Sequence, residues 1–397
     1  MPIINRIAEF HDDMKTWRRD IHAHPETAFE EERTAAVVAE KLESFGIEVH
    51  TGIATTGVVG VLHGGDGPNG GKTGGGRAIG LRADLDALDI HENNDFDHVS
   101  VNPGKMHACG HDGHTTMLLG AARYLAETKR FDGTIYFIFQ PAEENEGGGR
   151  VMVEEGLFDR FPMEAVYGLH NWPGAPAGKF AVRPGPMMAA FDIFEITLTG
   201  RGTHAAMPHL GIDPVVAAAQ VVQALQSITA RNTDPLESAV VSVTQIHGGD
   251  TWNVIPEQVV LRGTCRSFRP EIQDAIEARL KQIVDSTAQA YGVTSTVDYQ
   301  RRYPSVINTV DETAFAAGVA AEVSGPENVQ HDPTPTMGSE DFAFMLQEKP
   351  GCYIWLGNGP SDGGCLLHNP NYDFNDEILA VGASYWATLA ESALPAS

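Results

Sequence analysis

Apolar and polar positions along the chain fall into two regimes. From Ile4 to Phe45 the spacing predicts helix in two segments split around His24-Pro25. Ala35, Val38, Ala39 and Leu42 recur at helical intervals, and Gly46 stands where a C′ residue ends a helix. Thr56–His63, Ala78–Ala83, Thr134–Phe139 and Ala165–Leu169 are short apolar runs of strand length, and Thr115–Lys129 sets Leu118, Ala121, Ala122 and Leu125 on one helical face. Strands alternating with helices predict an α/β domain around a mostly parallel sheet flanked by helices, with functional loops at strand ends.

After Pro184-Gly-Pro186 the pattern changes. Phe191–Thr199 alternates with period two, Pro214–Thr229 is an apolar helix, Val240–Ile246 and Val259–Arg266 read as strands, Glu271–Tyr291 is a long helix and Ser295–Arg301 a last strand. A β-α-β-β-α-β order predicts an inserted α+β, ferredoxin-like domain over residues 186–301, with 1–185 and 302–397 forming the main domain. A helix near Asp311–Ser324 returns the chain to its first pattern.

Length and charge narrow the function. A chain of 397 residues, 42% hydrophobic, suits two globular domains. Its formal charge of −26 repels phosphate backbones, which argues against nucleic-acid partners. The same field repels carboxylate substrates, so such a substrate needs a local cation. No run resembles a membrane span, and Glu9, Asp12, Asp13, Lys15 and Arg18 leave no apolar signal region, so cytoplasm is the expected location. Cys109, Cys265, Cys352 and Cys365 form neither a zinc-ribbon spacing nor a disulfide framework; the last three read as structural thiols. The glycine-rich stretch Gly64–Gly76 reads as a connection between strands. Gly71-Lys72-Thr73 matches the end of a phosphate-binding loop, but Asp66 stands where that motif needs its first glycine.

The densest chemistry lies in Met106-His-Ala-Cys-Gly-His-Asp-Gly-His114. A Cys and a His two apart can face one side of an extended loop, and both are ligands for a borderline divalent metal. A lone His is usually a satisfied buried side chain; three His, a Cys and an Asp so close together favour a metal. Gln140-Pro-Ala-Glu-Glu-Asn-Glu-Gly147 follows a strand, and its adjacent carboxylates repel each other unless a cation holds one. Beside a metal, one can be a ligand and the other a general base. Alone, the segment reads as a solvated acidic loop. Gly168-Leu-His170-Asn-Trp172 ends another strand, and Leu366-Leu-His368-Asn precedes the last helix.

Together these segments resemble the hippurate hydrolase, or N-acyl-amino-acid amidohydrolase, branch of the glutamate carboxypeptidase and aminoacylase superfamily. The resemblance runs from Trp17 to Trp386. It also includes Arg18-Arg-Asp-Ile-His-Ala-His-Pro-Glu26, Leu81-Arg-Ala-Asp-Leu-Asp-Ala-Leu88, Gly202-Thr-His-Ala-Ala-Met-Pro-His209, Asn253-Val-Ile-Pro256 and Met337-Gly-Ser-Glu-Asp-Phe342. Many superfamily members carry a metal-binding His where this chain has Arg82, which cannot ligate; that swap is similar to the hippurate hydrolase branch.

The resemblance implies two divalent ions (Zn, Mn, Co or Ni) bridged by Cys109, with Glu144 and His368 completing one site and His111 and His170 the other. It implies Glu143 as general base and His204 as a donor to the oxyanion, in cis or across a dimer interface. Asn253 and Arg266 would hold the substrate carboxylate, with Arg262 as the competitor to Arg266. Asp84 and Asp112 are expected to orient ligand histidines, or Asp112 to cap a helix. Glu340 and Asp341 would line the pocket or support ligands, and Trp172 would wall the acyl group. The implied substrate is a small N-acyl amino acid, and the inserted domain would be a lid or dimerisation domain in a homodimer or homotetramer. Three rivals stand beside this reading: a metal-free cysteine hydrolase built on Cys109, a carboxypeptidase of short peptides, and a silent ligand-binding relative.

Overall fold

The structure, a computed structural model, describes residues 3–65, 76–144, 146–360 and 366–396. The stretch around Gly71-Lys72-Thr73, and Cys365, lie outside the described residues. The chain divides into two compact units, one of Met1–Met187, Ile307–Thr334 and Asp341–Ser397, the other of Met188–Val306 and Pro335–Glu340.

Helices α1 (His11–Ala23) and α2 (Glu32–Ser44) open the first unit, followed by β1 (Glu48–Ile53), β2 (Gly57–His63) and β3 (Ala78–Asp84). Then come α3 (His111–Thr128), β4 (Thr134–Gln140), β5 (Ala165–Pro173) and β6 (Phe180–Val182). The second unit holds β7 (Ala190–Thr199), α4 (Pro214–Ser227), β8 (Ala239–His247), β9 (Gln258–Ser267), α5 (Pro270–Tyr291) and β10 (Thr294–Tyr303). The first unit resumes with α6 (Val310–Ser324), β11 (Val329–His331), β12 (Gly351–Gly359) and α7 (Leu379–Ala393).

In the first unit the strand order is β1-β2-β4-β3-β5-β12-β6-β11. The central strands β4, β3, β5 and β12 run parallel, while β1, β2 and the β12–β6 pair add antiparallel ladders. Buried on both faces, β2, β3 and β4 read as continuous apolar runs rather than alternations. Parallel strands deliver their carboxyl ends to one edge, so Asp84, Gln140 and His170–Pro173 open their loops there. Helix α3 packs against β3, α1 and α7. Its approach to α7 needs Gly382, where a Cβ would come within 2.0 Å of Met117 Sδ.

The second unit is an antiparallel sheet of order β8-β9-β7-β10. On β9, Val259, Leu261 and Cys265 turn inward and alternate with more exposed neighbours. Helices α4 and α5 cover that face with Val221, Leu225, Ile276, Leu280 and Val284. Asp213 caps α4 by accepting from the Val215 amide at 2.8 Å.

Candidate metal centre

Helix α3 begins at His111, four residues before the expected Thr115, so Cys109 and His111 do not share an extended loop. Gly110 makes the turn with φ +90°, and a Cβ there would meet Asn171 Nδ2 at 2.3 Å and Tyr372 Oη at 2.5 Å. Only glycine fits both the angle and the space. The Asn171 side-chain amide in turn donates to the Cys109 carbonyl at 2.7 Å and accepts from Tyr372 Oη at 2.8 Å, which fixes the cysteine against the end of β5.

Five sequence-predicted donors meet at this edge. Ligand atoms of Cys109, His111 and His170 lie within 4.8 Å of one another, as do those of Cys109, Glu144 and His368, and those of His111, Glu143 and Glu144. Cys109 belongs to two of these groups, the position a bridging ligand needs. His170 Nδ1 donates to the Asn171 carbonyl at 2.6 Å, which leaves the Nε2 lone pair facing Cys109 Sγ at 3.3 Å. His111 Nδ1 lies 3.1 Å from Asp86 Oδ1, while its buried Nε2 has no hydrogen-bond partner. His368 Nε2 stands 3.0 Å from Glu144 Oε1.

The electrostatics suit a divalent cation. Burial, then Glu144, Glu143 and Asp84, hold the Cys109 thiol well above its usual range. Burial opposes charge on His111, yet Asp84, Asp86 and Glu144 push its imidazole up to about 10. Burial and His114 keep His170 well below its usual value, in the neutral form that ligates. Thiolate, imidazole and carboxylate donors fit a borderline divalent ion such as Zn, Mn, Co or Ni.

Further carboxylates stand around the donors. Asp84 faces two histidines: its Oδ1 is 2.7 Å from His114 Nδ1 and its Oδ2 3.7 Å from His111 Nε2, while His114 Nε2 accepts from the Asn171 amide at 2.9 Å. With both ring nitrogens engaged, His114 is a brace. Asp86, which the sequence reading passed over, lies against His111 and accepts from the Glu144 amide at 2.9 Å. The alternation of Asp84 and Asp86 past the end of β3 was the available signal. Neither reading of Asp112 describes its position. Gly110 occupies the N-cap of α3, and Asp112 Oδ2 accepts from Arg18 Nε at 2.8 Å and lies 2.9 Å from His22 Nδ1.

The glutamate pair sits on a turn that is anchored elsewhere. Ala142 takes φ +53°, and its amide donates at 2.9 Å to Glu31, which also accepts from Thr56 Oγ1 at 2.6 Å. Burial pushes the Glu31 carboxyl up to about 7 from 4.5. A raised folded value means that its stabilising contribution is complete below about 4.5 and is lost as pH rises through about 7. Thermal unfolding of Glu31→Gln against the parent chain is therefore expected to shift in favour of the variant across that window; a pH-independent difference would remove the buried carboxyl from the account. Glu143 is buried, and its Oε1 accepts from the Asp341 amide at 3.4 Å. Asp341 also accepts from Gln140 Nε2 at 2.7 Å and the Gly149 amide at 2.7 Å. Trp172 stacks on Trp355 with ring centroids 4.0 Å apart.

Of the residues expected in the second unit, His204 and Asn253 are neighbours. Val254 pairs with His204, and the Ala205 amide donates to the Asn253 carbonyl at 2.8 Å; both side chains are exposed. Arg266, half-buried on β9, lies 4.1 Å from the Phe191 ring centroid and donates to Ser339 Oγ at 3.1 Å. Its competitor Arg262 is already paired with Glu195 at 2.6 Å.

Residues 80–392 match Peptidase family M20/M25/M40. The chain belongs to this family. It is 40% identical to a hippurate hydrolase from Campylobacter jejuni, over 98% of this chain and 99% of that one. It is 38% identical to an N-acetylcysteine deacetylase from Bacillus subtilis, over 96% and 97% of the two chains. A crystal structure from Bacillus subtilis, described as a dinuclear metal binding peptidase from the M20 family, superposes with a TM-score of 0.83 at 34% identity, covering 98% of this chain and 99% of that one. The M20 chain is thus a metal-dependent hydrolase of the amidohydrolase branch with a two-ion centre.

Proposed function

We propose that the chain hydrolyses the amide bond of small N-acyl amino acids, with Cys109, Glu144 and His368 holding one divalent ion and Cys109, His111 and His170 the other. The observation that carries this reading is the convergence of those five donors on one strand edge, with the buried His111 Nε2 making no hydrogen bond. When bound, the ions supply Lewis-acid polarisation of the scissile carbonyl and a water acidified toward neutral pH. Glu143 takes the proton of the attacking water on a carboxylate oxygen and passes it to the leaving amine nitrogen. His204 donates a hydrogen bond to the developing oxyanion.

Arg266 and Asn253 receive the substrate carboxylate. Among the described residues Arg266 has no carboxylate partner, whereas Arg262 has one. A half-buried guanidinium with no carboxylate in direct contact favours a bidentate carboxylate guest. Arg266→Ala is expected to raise KM for N-acyl amino acids by about 10-fold or more, and much less for the matching amino-acid amides. Equal changes in both series would take Arg266 out of the anchor role.

A cytoplasmic setting accords with Cys109, Cys265 and Cys352 being free thiols and with no helix among the described residues being long and apolar enough to cross a membrane. Exposed Trp252, Val254 and Ile246, the last on edge strand β8, support self-association of the second unit into a homodimer or homotetramer.

The decisive experiment is hydrolysis of hippurate and N-acetyl amino acids by metal-stripped protein, with and without Zn²⁺, Mn²⁺, Co²⁺ or Ni²⁺. Stripping is expected to abolish release of the free amino acid, and re-addition to restore it. Activity untouched by chelation but lost on thiol alkylation would favour the cysteine hydrolase.

A further inference from the structure

Glu31 lies outside the metal donors, yet it is fully buried and reaches two distant turns at once. It stands at the N-cap position of α2, where a side chain usually bonds the helix's own first amides. Glu31 makes no such bond. Glu26 accepts from the Arg33 and Thr34 amides in its place, at 3.0 and 2.8 Å. The Glu31 carboxyl points across the fold instead. One oxygen accepts from Thr56 Oγ1 between β1 and β2, the other from the Ala142 amide after β4.

Backbone strain gathers at these segments. Among the described residues seven other than glycine take a positive φ, and four of them stand here: Phe29 (+61°), Ala54 (+49°), Thr55 (+72°) and Ala142 (+53°). Phe29 lies two residues before Glu31, and Ala54 and Thr55 lead directly into Thr56. Such conformations are costly, cluster at active sites and persist only where the surroundings fix them. The two turns also pack together, since a Cβ on Gly57 would stand 3.1 Å from Pro141 Cδ. The Ala142 carbonyl accepts from the Gly148 amide at 2.9 Å, within its own loop; the Ala142 amide is held from outside, by Glu31. Two residues on, the Glu144 amide donates to Asp86. The amides on either side of Glu143 are thus held by carboxyl groups from two other segments.

We propose that Glu31 is a positioning residue for hydrolysis: acting through the Ala142 amide, it holds the strained turn that aims Glu143 at the water and Glu144 at its ion. This rests on the reading of Glu143 as base and Glu144 as metal ligand. The working feature is reach, not charge. A glutamine at this position can accept from the same amide with its NH₂ turned to Thr56 Oγ1. An aspartate keeps the charge but is one methylene too short to span both partners.

The test is kcat, KM and Mn²⁺ titration of Glu31→Gln, Glu31→Asp and Glu31→Ala, with one N-acyl amino acid as substrate. Glu31→Gln is expected to stay within about 3-fold of the parent kcat. Glu31→Asp and Glu31→Ala should lose about 10-fold or more in kcat with little change in KM, since Arg266 and Asn253 do not ride on this turn. One of the two ion-binding steps should weaken by about 10-fold, as when a residue that orients a ligand is lost. The other should hold, because His111 and His170 stand on other segments. Glu31→Asp, the milder change, carries the test where Glu31→Ala fails to fold. Parent-like kcat and ion binding in Glu31→Asp, even with a lowered unfolding midpoint, would leave Glu31 a structural residue and overturn the proposal. Glu31→Gln as impaired as Glu31→Asp would overturn it too, by making charge the working feature. If Glu143→Gln keeps turnover, the base reading falls by itself, and the weakened ion step in Glu31→Asp still supports the hold on the turn through Glu144.

Discussion

Glu143→Gln is expected to keep about two metal ions per chain and to lower kcat by about 10²–10⁴-fold, the range that a positioned proton-transfer group supplies. The glutamate is buried and held by the Asp341 amide. A carboxylate oxygen of Glu143 lies within 4.8 Å of ligand atoms of His111 and Glu144. Glutamine has the same shape and can accept the same amide hydrogen bond, so the turn from Ala142 should not move. What it lacks is an oxygen able to carry a proton from water to the leaving nitrogen. The neighbouring change separates the pair, because Glu144→Gln removes a donor that His368 and Cys109 share and should lose metal. Metal analysis and kcat on one N-acyl amino acid decide it. Turnover retained in Glu143→Gln ends its role as base, and metal lost from that variant moves Glu143 into the ligand set.

Where side chains speak to their near neighbours in the chain, the fold was legible in advance. The period-two run at Phe191–Thr199 became β7, one residue longer at its start, because each inward residue meets the helices whatever the sheet order is. The order β8-β9-β7-β10 follows from the ferredoxin-like expectation, not from any one strand, since nothing local says which edge a strand joins. The start of α3 was misplaced for a different reason. His111-Asp-Gly-His114 is polar and contains glycine, so it reads as loop. It is helical because Asp84, Asp86, Arg18 and His22, distant in sequence, satisfy those polar groups inside the protein. The same blindness misassigned Asp112, whose partners are 94 and 90 residues away. The proposed donors stood out in the sequence because Cys, His and paired Glu at strand ends are costly to keep there without a cation, and the family resemblance supplied their individual roles.

Arg82→Met is expected to destabilise the first unit by about 3–5 kcal/mol, the cost of breaking a buried ion pair from one side. Arg82 stands at the centre of a buried polar cluster. The guanidinium is fully buried and donates to Gln140 Oε1 at 2.8 Å, Asp84 Oδ2 at 2.8 Å and Asp341 Oδ1 at 3.1 Å. Burial alone would raise the Asp84 carboxyl; His111, His114 and Arg82 together hold it well below the usual carboxylate range. Methionine fills much of the volume but leaves Asp84 and Asp341 without their shared cation. Lysine keeps one charge and cannot fork to three acceptors, so Arg82→Lys should recover only part of the loss. The effect should also reach the metal centre, since Asp84 braces His114 and the Asp341 amide holds Glu143. Denaturant unfolding of the metal-free proteins isolates the stability term, and metal titration of the folded variants reads the second. If Asp341→Asn, which removes one of the stranded charges, restores stability to Arg82→Met, the loss is electrostatic. If it restores none while Arg82→Met is destabilised as expected, lost packing rather than lost charge is the cause. An unfolding midpoint for Arg82→Met equal to that of the parent chain would refute the hub outright.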